Sequence, residues 1–336
     1  MITLEQDRLV FRFPDVHADA VCAIDFQRTL RIPDNGKTYP LPPGFGRFPL
    51  RHLDDHAPRL PESWLKRGGV MLPMYQAEAM WIYFRADGGR DGYPFAVKIG
   101  TGKINAVTGE GWTNNLNRDP QDYLAVPRQP WLDGYCVKKG VIRQFVAMPL
   151  GEGYSVEEQL TGEAEWGGVQ IVVFPMKAER YEALVKARNE SMVLHRQAAF
   201  PCAPVGAAMG LSAGGRMKQE IYTDPYELAD YDQRHGRRCF VTILNAAAWL
   251  AATGERAPTE PPTARAYAKA GLPWFDYYDA EAKAVGGGEA FGKVKSLAEL
   301  AKPAGKAPAD IDEPVMVETI LKLGPSRASP VREAEL

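Results

Sequence analysis

Between residues 24 and 32 the side chains change character one by one. Ile24, Phe26, Leu30 and Ile32 fall on one side, with Asp25, Gln27, Thr29 and Arg31 on the other. A period of two belongs to a β-strand with one buried face, because successive Cβ atoms point to opposite faces of a sheet. Arg28 interrupts the apolar side, and a guanidinium there needs a carboxylate partner or the sheet edge. Pro33-Asp34-Asn35-Gly36 then supplies a turn, since Asn-Gly tolerates positive φ.

Further strands are expected over residues 80–84 and 95–99, joined by the Gly/Asp loop 87–92, and over 103–107, 123–126 and 141–148. Residues 169–174 are apolar except for Gln170, which fits a strand covered on both faces. Ser155-Val156-Glu157-Glu158 is a capping box that opens a short helix, with Gly162 as its stop. Helical spacing recurs over 177–192, 243–253 and 263–270. Residues 197–238 have no sustained period and read as a long loop. Gly and Pro number 32 and 27 among 336 residues, well above an average combined share of about 12%, so ordered turns should outnumber long helices.

These signals predict an α+β chain: a mainly antiparallel β core with helices packed on one side and long ordered Pro/Gly-rich loops. The expected boundaries are a β-rich core over 1–175, a helical and loop-rich part over 176–300, a linker over 301–314, a strand over 315–325 that returns to the sheet, and a frayed tail over 326–336.

Lys plus Arg is 40 and Asp plus Glu is 42, a formal net charge of −2. That balance argues against an extended nucleic-acid contact, and no nucleic-acid partner is expected. The longest apolar run, 240–252, is shorter than the roughly 20 residues a membrane span needs. It contains Thr242 and Asn245 and reads as a buried helix. With no basic and apolar leader at the N-terminus, the expectation is a soluble cytoplasmic protein with no membrane partner.

Chemical motifs are incomplete. Cys22, Cys136, Cys202 and Cys239 include no Cys-x-x-Cys pair, and Cys202 with His195 is a weak nucleophile-and-base candidate. Residues 287–293 match the start of a phosphate-binding loop, but Val294 stands where Ser or Thr would hold magnesium. Gly100-Thr101-Gly102-Lys103 lacks the third glycine of a dinucleotide fingerprint. No nucleotide cofactor is therefore expected. Glu157, Glu158, Glu163 and Glu165 form a carboxylate cluster of the kind acid–base hydrolysis uses.

Two function classes follow. The first is a ligand- or partner-binding, assembly-type protein without chemistry of its own, capturing a protein partner, a second copy of itself or a small anion. Its contacts would be the cluster Arg234, His235, Arg237 and Arg238, which suits oxyanions, and the loop aromatics Trp131, Trp274 and Phe275. The alternative is a metal-dependent hydrolase. In His52-Leu53-Asp54-Asp55-His56, imidazoles at i and i+4 would share a helix face and a divalent metal, with Asp55 beside them.

Overall fold

The computed structural model describes residues 1–86, 91–191, 207–277, 282–301 and 312–323. The expected 87–92 loop in part, Cys202 with His195, most of the 301–314 linker and the 326–336 tail lie outside the described residues. The strand anticipated over 24–32 forms three residues earlier, as Val21–Thr29, with Leu30 and Ile32 beyond its end in a second apolar cluster; it pairs antiparallel with Ala79–Ala86, from Cys22 opposite Ala86 to Thr29 opposite Ala79. Arg28 finds its carboxylate: Glu78 Oε1 lies 3.0 Å from both Arg28 Nε and Nη2. Arg28 also donates to the Thr259 carbonyl at 2.7 Å. Burial pushes the Glu78 carboxyl up and lowers the Arg28 guanidinium to about 10. Removing either partner alone would strand a buried charge.

Two large sheets make the body. The larger runs, in spatial order, through Ile2–Leu4, Leu9–Arg12, Val21–Thr29, Ala79–Ala86, Val141–Met148, Gly210–Lys218 and Thr38–Tyr39. Trp131–Leu132, Gly134–Lys138 and Gly44–Arg47 attach beside it. The smaller runs through Ile104–Asn105, Phe95–Thr101, Val169–Pro175, Arg237–Asn245, Val70–Pro73 and Arg51–His52. One apolar core takes side chains from both, including Phe26, Ile82 and Phe145 from the first and Val97, Ile171 and Val241 from the second. Tyr135 bridges them. Its hydroxyl donates to Leu211 O at 2.9 Å in the larger sheet and lies 2.7 Å from Thr101 Oγ1 in the smaller.

The expected mainly antiparallel core with helices on one side is corrected. Strands make up 37% and helices 21% of the structure, and both large sheets are mixed. Gly210–Lys218 pairs in parallel with Thr38–Tyr39, and Arg237–Asn245 with Val70–Pro73. Helices lie against both sheets: Val156–Thr161 and Leu297–Ala301 touch Gly210–Lys218, whereas Ala246–Thr253 packs on the smaller sheet.

Two segments account for the difference. Gly210–Lys218 shows no apolar period because Gly214 and Gly215 sit where side chains cannot. A Cβ on Gly214 would lie 2.5 Å from Val146 Cγ2, and one on Gly215 would lie 2.6 Å from the Pro33 carbonyl. The apolar run 240–252 is not one helix but the end of a strand followed by a helix. Asn245 makes the switch, its side chain accepting from the amides of Ala247 and Ala248.

The late strand is also corrected. Ile320–Leu323 does not return to a large sheet but pairs in parallel with Trp274–Tyr277 as a separate two-stranded sheet. Trp274 is fully buried in a second apolar cluster with Tyr39, Leu41, Ile142 and Met217. It is therefore a packing residue and not a surface anchor. Trp274→Ala is expected to cost about 3–5 kcal/mol in urea denaturation; an unchanged midpoint would contradict this packing.

Candidate functional site

The register that buries one side of Ala79–Ala86 turns the other side outward. Met80, Ile82, Phe84 and Ala86 enter the core, while Trp81, Tyr83 and Arg85 stay half-buried on the far face. Trp131 lies directly opposite Tyr83 on the adjoining strand and joins that face. Tyr277, at the end of the small sheet, closes on Trp131. The ring centroids form a chain: Tyr83 to Trp81 at 5.8 Å, Trp81 to Trp131 at 6.2 Å and Trp131 to Tyr277 at 4.8 Å. All four rings are half-buried, with part of their surface in solvent.

Three guanidiniums flank this row. On the neighbouring strand Asp25 lies opposite Tyr83 and Gln27 opposite Trp81. Arg47 faces Gln27 from the next strand. Arg8 Nε and Arg47 Nε approach the same oxygen of Asp25 at 3.6 and 3.7 Å, and Arg85 lies over the Tyr83 ring at 5.5 Å. Asp25 is buried and hydrogen-bonded by Gln27. Burial raises its pKa against the pull of Gln27 and the arginines. The Arg8 guanidinium is lowered, first by burial and then by Arg47 and Arg85. Its Nε has no hydrogen-bond partner among the described residues. Two cations thus approach one carboxylate whose charge burial disfavours, and a third lies over Tyr83, leaving positive charge in excess beside the half-buried rings.

The strand bearing Trp131 is held from below. Gln219 donates to the Trp131 carbonyl at 3.3 Å and to Asp133 Oδ2 at 2.7 Å, and its own carbonyl accepts from Asp133 N at 3.0 Å. Desolvation raises the Asp133 carboxyl to about 7, opposed by hydrogen bonding from Trp131 and Gln219.

The residues singled out from sequence are dispersed. Arg237 and Arg238 are consecutive in one strand and therefore point to opposite faces. Arg237 reaches Asp15 at 3.4 Å, and Arg238 is exposed. His235 Nδ1 lies 2.8 Å from Asp232 Oδ2, and the Arg234 side chain is 89% exposed. The expected oxyanion cluster is therefore not assembled. Phe275 is half-buried at the edge of the second apolar cluster. Trp131 alone of the three candidate aromatics joins the outward row.

The expected His52–His56 helix face is absent. His52 ends a two-residue strand, whereas Asp55 and His56 lie in the 3-10 turn Asp54–Arg59, which breaks at His56 (φ −121°, ψ 16°). Among the described residues no group of three or more His, Cys, Asp or Glu side chains is arranged to hold a metal. The clustered glutamates serve the backbone: Glu157 accepts from the amides of Glu165, Trp166 and Gly167, and Glu158 from those of Gly151, Gly153 and Ser155. In the glycine-rich segment 287–293, Phe291 is buried, its ring 5.2 Å from that of Tyr135. No described helix is long and apolar enough to cross a membrane.

No family model matches this chain, and neither a curated protein nor a solved structure matches it.

Asp133 gives the site a pH signature. A buried acid with a raised pKa keeps its proton in the folded state while the unfolded chain releases it near 4. Its contribution is therefore greatest in acid and is lost as pH rises from about 4 towards 7, by up to about 1.4 kcal/mol per unit. Asp133→Asn should flatten this part of the stability profile in chemical denaturation; a variant with the wild-type slope would contradict the assignment.

Proposed function

We propose that this chain is a binding protein whose contact surface is the outward face of the larger sheet, and that its ligand is a single strand of nucleic acid. The observation that carries this reading is the unbroken row Tyr83, Trp81, Trp131 and Tyr277 beside three guanidiniums, two of which share one buried carboxylate. Half-exposed rings offer stacking surface to bases, and guanidiniums offer bidentate donors to phosphates. The row lies on a sheet face and not in a deep cleft, which favours a chain of bases over one small molecule. A duplex hides its bases in its own stack, so an unpaired strand suits the rings.

The balanced charge of the chain bears on how such a complex would form. With a net charge of −2 there is little long-range attraction, and stacking must supply much of the affinity. Three arginines can neutralise at most three phosphates, so log K against log salt should have a slope no steeper than about −2. Long basic nucleic-acid proteins show far steeper slopes.

Fluorescence anisotropy with a labelled twelve-residue oligouridine or oligothymidine tests the reading. Trp81→Ala should weaken binding by about 1–3 kcal/mol, and Arg85→Ala should make the salt slope shallower by about 0.7. Failure of the wild-type chain to bind either oligomer, or equal affinity for a duplex of the same length, would overturn it. A protein partner captured by this face in place of the oligomers would do the same.

A further inference from the structure

A second feature stands apart from the aromatic row and does not depend on its role. A cavity of about 350 Å³ opens between the turn 34–36, the strands Val141–Met148 and Gly210–Lys218, and the segment 296–299. Its charged lining is Asp34, Arg143, Arg216, Glu299 and Asp312. Both signs of charge therefore border one space, and its neutral lining is Asn35, Gly36, Ser296 and Ala298.

The cationic part is built at a cost. Arg143 and Arg216 stand directly opposite each other across the antiparallel pair, a like-charge placement that destabilises a sheet. The Arg143 side chain is 10% exposed; Nη1 donates to Val294 O at 2.8 Å, while Nη2 comes only to 3.6 Å from Glu299 Oε2. Glu299 is engaged elsewhere, its carboxylate accepting from Ser296 N at 2.6 Å. Arg216 is exposed and forms no hydrogen bond or salt bridge among the described residues.

The acidic part is likewise only partly satisfied. The Asp312 side chain is 8% exposed. Its Oδ1 accepts from Arg31 Nη2 at 2.7 Å and from Asp34 N at 3.2 Å, and its Oδ2 has no hydrogen-bond partner among the described residues. Asp34 spends Oδ2 on the Ala298 amide at 2.8 Å. A carboxylate oxygen on the cavity wall with no hydrogen-bond partner among the described residues, and a guanidinium pair with donors to spare, are complementary to the two ends of one ligand.

We propose that this cavity binds a small zwitterion of the α-amino-acid class, its carboxylate on Arg216 and Arg143 and its ammonium on Asp312 and Asp34. The neutral lining of Asn35, Gly36, Ser296 and Ala298 offers no large apolar surface, which suits a ligand with a short or polar side chain. Such a ligand would neutralise the opposed guanidiniums and supply donors to Asp312 without adding net charge to the cavity.

Isothermal titration of the full chain with L-alanine and L-serine tests this, with acetate and methylammonium as the two half-ligands. The amino acids should bind, and each half-ligand should bind at least about ten-fold more weakly. Arg216→Ala removes an exposed side chain and a like-charge opposition, so it should not lower the thermal midpoint while weakening L-alanine about ten-fold. Asp312→Asn should also weaken it. No binding of either amino acid would overturn the proposal, as would acetate binding as tightly as alanine, or an Arg216→Ala variant with unchanged affinity.

Discussion

The pairing of Val21–Thr29 with Ala79–Ala86 is the constraint on which the rest depends. Because side chains alternate across a strand, this one register decides that Met80, Ile82 and Phe84 fill the core and that Trp81, Tyr83 and Arg85 do not. A slip by one residue would bury the arginine and tryptophan and expose the core set. It would also separate Arg28 from Glu78, which meet at 3.0 Å on the inner side. Core packing and the outward row are therefore two consequences of one choice, and the buried ion pair penalises the alternative.

The outward face is specialised along its length. Near the Arg8, Arg47 and Arg85 side it is charged and half-open, and in the middle it carries linked rings. Beyond Tyr277 the apolar cluster around Trp274 covers it. The small sheet of Trp274–Tyr277 and Ile320–Leu323 thus seals part of the face and contributes one ring to the open part. Tyr135 and Asp133, on either side of Gly134, support this arrangement from within. A Cβ on Gly134 would lie 1.9 Å from the Arg143 carbonyl, so close strand approach at that point requires glycine.

Much of the local structure was legible in the chain. A strand in the 24–32 region follows from its alternation, though its bounds are 21–29, the need of Arg28 for a carboxylate follows from its place on the apolar side, and the helix after Ser155 from its capping box, which forms with both reciprocal bonds. What was not legible depended on contacts distant in sequence. Gly214 and Gly215 erase the period of a central strand because neighbouring atoms occupy the space of their side chains. Val241 and Ile243 sit in a run compatible with helix, and only pairing with Val169–Pro175 and Val70–Pro73 makes it a strand. Of the candidate site, Trp131 was visible as a loop aromatic. Trp81 and Tyr83 looked like ordinary strand residues, and their outward alternation with Arg85 was the signal that marks them. Arg8, Arg47 and Arg85 are far apart in the chain, and only the fold gathers them around Asp25.

The claim that this face is where a single strand binds is tested most directly by ultraviolet cross-linking of oligouridine to the full chain, with the attachment points mapped by mass spectrometry. The account predicts adducts on peptides containing Trp81, Tyr83 and Trp131, suppressed by excess unlabelled oligomer. Adducts confined to other parts of the chain, or none above the level seen with a duplex, would contradict it.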